Sequence, residues 1–406
     1  MVINKDQQSG SFAKKWPKLL AADGAVSRQR LRDLARGVFS RDQSTPEPEV
    51  IAETSATNTD PLAGQGFSVE DTIDVQGVPT LGGVSFADLF EEPADTSDAW
   101  VLALQSAGCR FESKFRPPLF GHGSILSTTE GEANKDPLAG VHIGMDTYGR
   151  VRFESAKAGR FVYRSAVGRA ISGLPVAPGL DALAVSVKQQ ATFIAVVERL
   201  LGIVPADGQG EVSADEQPEE SMPLRVLLVD YPNHPLPTSA KQTIYSRTKS
   251  ICWESSIATV ASGLRLFGKC YAAFDLLVSR EAGFIHRYWM QEYAAQYPQA
   301  LRERLQRAVN VSPQKLTDAR ALQQQVRSQL LEWLGEWDCV AIPLVIPAGP
   351  LDATTVHRIN RQLAPIQLSG LPAFSIPVQS EPDYHIALQL LVRPDCANIS
   401  SLLRQF

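Results

Sequence analysis

The sequence is poor in cysteine, and its few cysteines form no cluster. Five occur among 406 residues, an odd number spread along the chain. They are Cys109, Cys252, Cys270, Cys339 and Cys396. No Cys-x-x-Cys pair and no cysteine–histidine cluster with metal-ligand spacing is present, so the sequence supports neither a zinc site nor a disulfide framework. We therefore expect reduced thiols, no cofactor and no metal.

Long apolar runs and a strong net charge are also missing. The amino terminus, "MVINKDQQSGSFAKKW", lacks the apolar core of a signal peptide, and no apolar stretch approaches the length of a membrane span. A formal net charge of -5 leaves no general basic footprint for nucleic acid. We expect a cytoplasmic protein that binds neither nucleic acid nor membrane.

What is present is the composition of an ordinary globular protein, 44% hydrophobic and 20% charged. Residues 1–43 are locally basic and predict a helical leader. Residues 44–59 are rich in Pro, Thr and acid and predict a linker. Residues 205–223 carry six acidic residues and no basic one, which predicts a flexible connector. The core then falls into two halves, 60–204 and 224–406, which we expect to share one sheet.

Helical and strand patterns alternate along both halves. "QQATFIAVVERLLGIV" has apolar residues at helical spacing, and "LRVLLVDYP" is a buried-strand run ended by proline. The stretch from Thr248 to Gly268, "TKSICWESSIATVASGLRLFG", is predicted to be an amphipathic helix. The alternation indicates an α/β protein.

Three segments, in the correct order, resemble the amidase signature family, hydrolases that cleave carboxamides with a Ser–cis-Ser–Lys triad. "DPLAGQGFSVEDTIDVQGVPT" resembles the segment that carries the family's lysine. "GMDTYGRVRFESAKAG" is similar to the segment built on D-T-G-G-S, and "LSGLPAFSIPV" resembles a G-L-P stretch nearer the carboxyl terminus. The resemblance implies the amidase-signature fold, a large central sheet, mostly parallel or mixed, flanked by helices on both faces.

The resemblance also implies that all three triad positions have changed. Glu70 stands where the family has its lysine, and Arg150 stands where the family has its nucleophilic serine. The Gly/Ser-rich loop that supplies the second serine has no counterpart in the shortened region 122–143. A carboxylate with an ordinary pKa of about 4.3 is a weak base, and a guanidinium cannot attack a carbonyl. We therefore predict no catalytic residue at the degenerate positions Glu70 and Arg150.

The matching residues outline a former pocket. They are Glu70, Asp71, Asp146, Thr147, Tyr148, Gly149, Arg150 and Arg152. We hypothesise that Glu70 and Arg150 form an ion pair that closes the pocket floor; the alternative is that both point into solvent. Asp146 and Arg152 match positions that the family retains, and we expect them to orient the loop through hydrogen bonds. Tyr148 replaces a glycine beside the family's oxyanion-binding backbone.

Several other side chains are weighed as replacement catalysts. Ser155 follows the former nucleophile position and is expected to be helical scaffold. His122 is expected to be a surface or turn histidine, with a catalytic role less favoured. His286 and His357 have no metal-ligand spacing around them. The remaining hydroxyl candidates, for which a turn or helix-surface role is favoured, are Ser124, Ser127, Thr128, Thr129 and the serines of Trp253–Ser256.

Two functions follow from these residues. The leading hypothesis is a pseudoenzyme, an amidase fold retained as a binding, scaffold or accessory subunit for a protein partner, a second copy of itself, a small amide or a carrier-bound ligand. The alternative is an enzyme with altered, non-triad chemistry, a C–N hydrolase or a proton-transfer enzyme that uses Glu70 and Asp146. An open cleft with Glu70 facing water would favour the enzyme, and a cleft filled by Arg150 and Tyr148 would favour the pseudoenzyme. A product without a selected role is a third interpretation, against which the intact core pattern speaks.

Overall fold

The structure is a computed structural model that describes residues 60–83, 92–122, 140–203, 224–229, 236–252, 257–260, 264–378, 382–393 and 399. The predicted leader 1–43, linker 44–59 and connector 205–223 lie outside these ranges. Ten strands and nine α-helices form within them. The strands are β1 (Gly66–Glu70), β2 (Arg110–Phe115), β3 (Val141–Met145), β4 (Phe161–Arg164), β5 (Leu183–Val187), β6 (Val226–Val229), β7 (Ile257–Val260), β8 (Cys339–Pro347), β9 (Ala373–Pro377) and β10 (Tyr384–Leu391). The helices are α1 (Ala99–Ser106), α2 (Arg150–Lys157), α3 (Gln190–Leu200), α4 (Thr238–Ile251), α5 (Leu264–Ile285), α6 (Trp289–Glu292), α7 (Gln299–Val309), α8 (Pro313–Glu336) and α9 (Ala353–Ser369).

All ten strands join one sheet, in the order β2-β1-β3-β5-β4-β9-β10-β8-β6-β7. Four of the nine ladders are parallel and five are antiparallel. Strands from residues 60–204 and from residues 224–406 therefore belong to the same sheet. The sheet is mixed, with its parallel pairs at the two ends.

Helices cover both faces of this sheet. One buried cluster joins α1, α3 and α4 to one face, through side chains such as Phe67 and Val69 of β1. A second cluster joins α5, α8 and α9 to the other face. Helix α2 packs on that second face as well, where Val151 meets Val162 and Ala184. Because side chains alternate along a strand, Ser68 and Glu70 face the α2 side while Phe67 and Val69 face the opposite side.

The prediction of one helix from Thr248 to Gly268 is wrong. Helix α4 ends at Ile251, strand β7 pairs in parallel with β6, and α5 begins only at Leu264. The β7 sequence "IATV" is rich in β-branched residues, which favour strands. The ladder hydrogen bonds available at the edge beside β6 outweigh the helical period of the flanking residues.

No helix in the described part of the chain combines the length and the apolar character that crossing a membrane requires.

Candidate functional site

The site lies where β1 and β3 end and α2 begins. Glu70 is the last residue of β1, and Arg150 is the first residue of α2. Strands β1 and β3 are adjacent and parallel, so their carboxyl ends meet at the same edge of the sheet. The turn between β3 and α2 then carries Arg150 back over the end of β1.

Gly149 makes this turn possible. It precedes α2 with φ 75°, in the left-handed region that side chains other than glycine rarely adopt. A Cβ added there would also lie only 2.6 Å from Nε2 of Gln367. The left-handed conformation therefore favours glycine at this position, and a Cβ would in addition require the end of the Gln367 side chain to shift.

Glu70 and Arg150 form the ion pair that the sequence analysis hypothesised. Nη2 of Arg150 donates to Oε2 of Glu70. The backbone N–H of Met145 donates to the same oxygen at 3.1 Å, and the hydroxyl of Thr72 donates to Oε1 at 3.1 Å. The Arg150 guanidinium also lies 6.0 Å from the centre of the Phe115 ring. The Glu70 carboxylate is thus surrounded by three donors of this chain.

Burial decides what this carboxylate can do. The Glu70 side chain has no exposed surface, and the Arg150 side chain is 12% exposed. Burial raises the pKa of Glu70 above its ordinary value, and the Arg150 charge and the hydrogen bonds only partly oppose that rise. A base must reach the proton that it removes, and this carboxylate is sealed from solvent behind Arg150.

Asp146 and Arg152 form a second buried ion pair that holds the loop. Asp146 accepts from the backbone N–H of Arg152 at 3.2 Å and from its Nε at 2.7 Å. Nε of Arg164 lies 3.3 Å from the same carboxylate. Nη1 of Arg152 donates to Oε1 of Gln389 in β10 at 2.6 Å. These contacts tie the start of α2 to two strands, as the sequence analysis expected for Asp146 and Arg152.

The side chains of Thr147 and Asp71 form hydrogen bonds with neighbouring loops. The Thr147 hydroxyl donates to Asp181 at 2.7 Å, and Asp181 also accepts from the backbone of Val176 and Ala177. Asp71 accepts from the backbone N–H of Leu81 at 3.1 Å and lies 3.4 Å from Nζ of Lys114. Asp71 therefore orders the segment after β1, on contacts different from those of the Glu70–Arg150 pair.

Tyr148 leads into a chain of hydrogen bonds that the sequence analysis missed. Its hydroxyl lies 3.1 Å from Nδ1 of His122, and Nε2 of His122 lies 2.9 Å from Nε2 of His286. Nδ1 of His286 lies 2.8 Å from the Tyr297 hydroxyl. At the other end, Nη2 of Arg304 donates to the Tyr148 hydroxyl at 3.2 Å. These residues are far apart in sequence and share no local motif, so only the fold brings them together.

Of the two roles expected for His122, surface and turn, the surface role is wrong: His122 ends a turn, but its side chain is buried. His122 is 4% exposed and His286 is fully buried. The short 3-10 turn Leu119–Gly121 directs His122 inward, toward the carboxyl end of α5. Burial lowers the pKa of His122 well below its ordinary value, and the neighbouring His286 and Arg304 lower it further.

The other candidates are scaffold or fall outside the described ranges. Ser155 lies in α2, and its hydroxyl is 2.7 Å from that of Ser186 in β5. The His357 ring packs against Tyr271, with centroids 5.4 Å apart. Among the residues that the structure describes, no three His, Cys, Asp or Glu side chains are placed to hold a metal ion. Ser124, Ser127, Thr128, Thr129 and Trp253–Ser256 are not described.

Comparison with solved structures decides the fold. A chain from a vestigial protein complex, linked to the evolutionary origins of an s-triazine catabolic enzyme, superposes with a TM-score of 0.68 at 16% identity, over 98% of this chain and 93% of that one. A crystal structure of an amidase gives a TM-score of 0.67 at 19% identity, over 96% of this chain and 97% of the amidase. This chain has the amidase-signature fold.

Sequence comparison agrees with the amidase-signature fold. A glutamyl-tRNA(Gln) amidotransferase subunit from Haloarcula marismortui is 22% identical over 401 residues, covering 82% of this chain and 92% of the relative. No family model matches the chain. The relative and the two solved structures belong to the amidase signature family, so the resemblance that the motifs indicated is confirmed.

Proposed function

We propose that this chain is a catalytically inactive amidase-fold protein, retained as a binding, scaffold or accessory subunit. The observation that carries the proposal is the Glu70–Arg150 ion pair. A cationic guanidinium stands where the resemblance places the attacking oxygen, and it is bonded to a fully buried carboxylate at the position of the lysine. Acyl transfer by this route needs a hydroxyl with an adjacent base, and a guanidinium paired with a carboxylate provides no hydroxyl.

The arrangement gives the alternative, an enzyme with non-triad chemistry, little support. Both carboxylates that it would use, Glu70 and Asp146, have no exposed side-chain surface. Glu70 is bonded to Arg150, Met145 and Thr72, while Asp146 is bonded to Arg152. A general base on a substrate must come within hydrogen-bond reach of it, which would require these contacts to break first.

A protein partner is the binding function that we favour. One relative is named as a subunit of an amidotransferase, and one solved relative belongs to a protein complex. By analogy, this chain would contribute a folded surface to an assembly whose chemistry resides elsewhere.

Inactivity is tested by assaying the purified chain against a panel of carboxamides and esters. We expect no hydrolysis above the buffer blank, and the same result for Arg150→Ser, because neither the family's lysine nor its second serine has a counterpart in the sequence to deprotonate the new hydroxyl. Turnover above the blank that a Glu70→Gln or Asp146→Asn change abolishes, in a variant that still folds, would establish the altered enzyme instead.

Partner binding is tested by affinity capture from the native host, followed by native mass spectrometry of the purified complex. We expect one partner in fixed stoichiometry that rebinds when both proteins are purified separately. A homodimer mass with no second protein would assign the accessory surface to a second copy. Recovery of a lone monomer that does not rebind any captured protein would contradict the subunit role.

A further inference from the structure

The chain Tyr148–His122–His286–Tyr297 joins four segments that are distant in sequence. Tyr148 belongs to the loop before α2, and His122 ends the 3-10 turn at Leu119–Gly121. His286 directly follows α5, and Tyr297 precedes α7. Each link is a side-chain contact of 2.8 to 3.1 Å. The chain is therefore a cross-brace between the former nucleophile loop and the helical layer.

The cross-brace lies directly beside the Glu70–Arg150 pair. A Cβ added at Gly121, next to His122, would lie 3.7 Å from Oε1 of Glu70. Tyr148 is two residues before Arg150. His122 and Tyr148 therefore adjoin the Glu70–Arg150 pair both along the chain and in space.

The contact between the two imidazoles sets a limit on their protons. The two Nε2 atoms are 2.9 Å apart, so one must carry a hydrogen and the other must accept it. If both rings were imidazolium, two N–H groups would face each other and the contact could not form. The closed arrangement therefore holds at most one imidazolium.

The surroundings disfavour even the first added proton. Arg304, a cation, contacts the Tyr148 hydroxyl and lies 3.8 Å from Asp275. The nearby carboxylates already have partners, since Asp181 accepts from Thr147 and Glu70 accepts from Arg150. The ring of Trp289 packs against His286 with centroids 5.3 Å apart. Burial lowers the pKa of His286 to about 3, and it raises the pKa of Tyr148. Both imidazoles are thus neutral while the hydrogen bonds of Tyr148–His122–His286–Tyr297 are intact.

We propose that Tyr148–His122–His286–Tyr297 is a two-proton lock, which holds the side of the former pocket closed and releases the four segments when both histidines take up a proton. The lock does not depend on the proposed function, because it concerns a contact that an active or an inactive protein would share. An imidazole freed into water takes up its proton at a pH of about 6.5. Each histidine that is neutral when closed and charged when open shifts the opening equilibrium about tenfold per pH unit below that value.

The test is amide hydrogen exchange on the full chain between pH 4.5 and 6.0, corrected for the intrinsic exchange rate. The reporting amides are those of His122, Gly149 and Met290, which donate to Leu119, Asp146 and His286. We expect their opening constant to rise about 100-fold per pH unit on acidification, since two protons are taken up. Amides of the central strands β4 and β5 should exchange more slowly over the whole range, because they open only when the protein unfolds.

The variants separate the lock from ordinary acid unfolding. His122→Gln and His286→Gln should each reduce the slope to about tenfold per pH unit, and the double variant should remove it. Tyr297→Phe removes a hydrogen bond without removing a titrating group, so it should raise the opening constant at every pH and keep the slope. His142 is a buried histidine that contacts Ser68 and takes no part in these hydrogen bonds. His142→Gln should therefore keep the slope as well.

Two results would overturn the proposal. One is a wild-type slope of tenfold per pH unit or less at the reporting amides. The other is exchange of the reporting amides at the same rate as β4 and β5 at every pH, which would mean that these segments open only by global unfolding.

Discussion

The first turn of α2 carries two buried ion pairs, one at Arg150 and one at Arg152. Arg152 pairs with Asp146, and both residues match the family pattern. Arg150 pairs with Glu70, and by the motif resemblance both residues depart from that pattern. Each pair has a carboxylate with no exposed surface, and each is completed by further hydrogen bonds. The Glu70–Arg150 contact, which we propose replaces the catalytic groups, is thus as fully enclosed at its carboxylate as the Asp146–Arg152 contact beside it.

The largest effect is expected where the scaffold pair is broken. Asp146→Ala removes the carboxylate that Arg152 and Arg164 share and leaves two buried guanidinium groups beside each other. We expect a loss of about 3–5 kcal/mol in the free energy of unfolding, measured by urea denaturation. A loss below about 1 kcal/mol, the range of exposed pairs, would contradict the structural role of Asp146.

The replaced pair should show a smaller loss and measurable coupling. Arg150→Met leaves Glu70 buried without its cation, at a cost of about 3 kcal/mol in unfolding free energy. The second variant, Glu70→Gln, keeps an acceptor for Thr72 and Met145. The loss of unfolding free energy in the double variant should be smaller than the sum of the two single losses, by about 1–3 kcal/mol. Strict additivity would mean that the two side chains do not interact.

A pH dependence is expected from the polar face that carries Glu70. His142 in β3 contacts the Ser68 hydroxyl at 2.9 Å, and burial, followed by the charges of Arg150 and Arg160, lowers its pKa well below the ordinary value. The unfolded chain takes up this proton below about pH 6.5 while the folded chain does not, so stability is lost as pH falls. His142→Gln should therefore shrink the difference in unfolding free energy between pH 7.5 and pH 5.0 by about 2 kcal/mol. An unchanged difference would show that His142 is charged in the folded protein.

The smallest loss of stability is expected at an exposed ion pair, which serves as a reference for the two buried pairs. Arg225 and Asp338 form an ion pair at 3.1 Å in which the side chains are 57% and 38% exposed. Arg225→Ala should lower the free energy of unfolding by less than about 1 kcal/mol, and added salt should reduce that loss further. If this exposed pair costs as much as Glu70–Arg150, burial is not what distinguishes the site.

Sequence motifs predicted the parts of this fold that local residues determine. The helix at Gln190–Leu200 follows from the helical spacing of apolar residues in "QQATFIAVVERLLGIV", and the strand at Val226–Val229 follows from the buried-strand run "LRVLLVDYP". The Glu70–Arg150 contact could be hypothesised because both positions matched a known constellation. Strand β7 was missed because its pairing with β6 depends on tertiary contacts rather than on local period. The His122–His286 contact joins residues 164 positions apart, and no spacing rule could have found it.

We propose that the Glu70–Arg150 pair occupies the place of the catalytic groups and leaves no nucleophile. It is tested most directly by intact-protein mass spectrometry after incubation with p-nitrophenyl acetate and a fluorophosphonate, followed by peptide mapping of residues 122–155. We expect an unmodified mass at these residues, for the wild type and for Arg150→Ser alike. A stoichiometric acyl or phosphonyl adduct on any hydroxyl in that segment would contradict it.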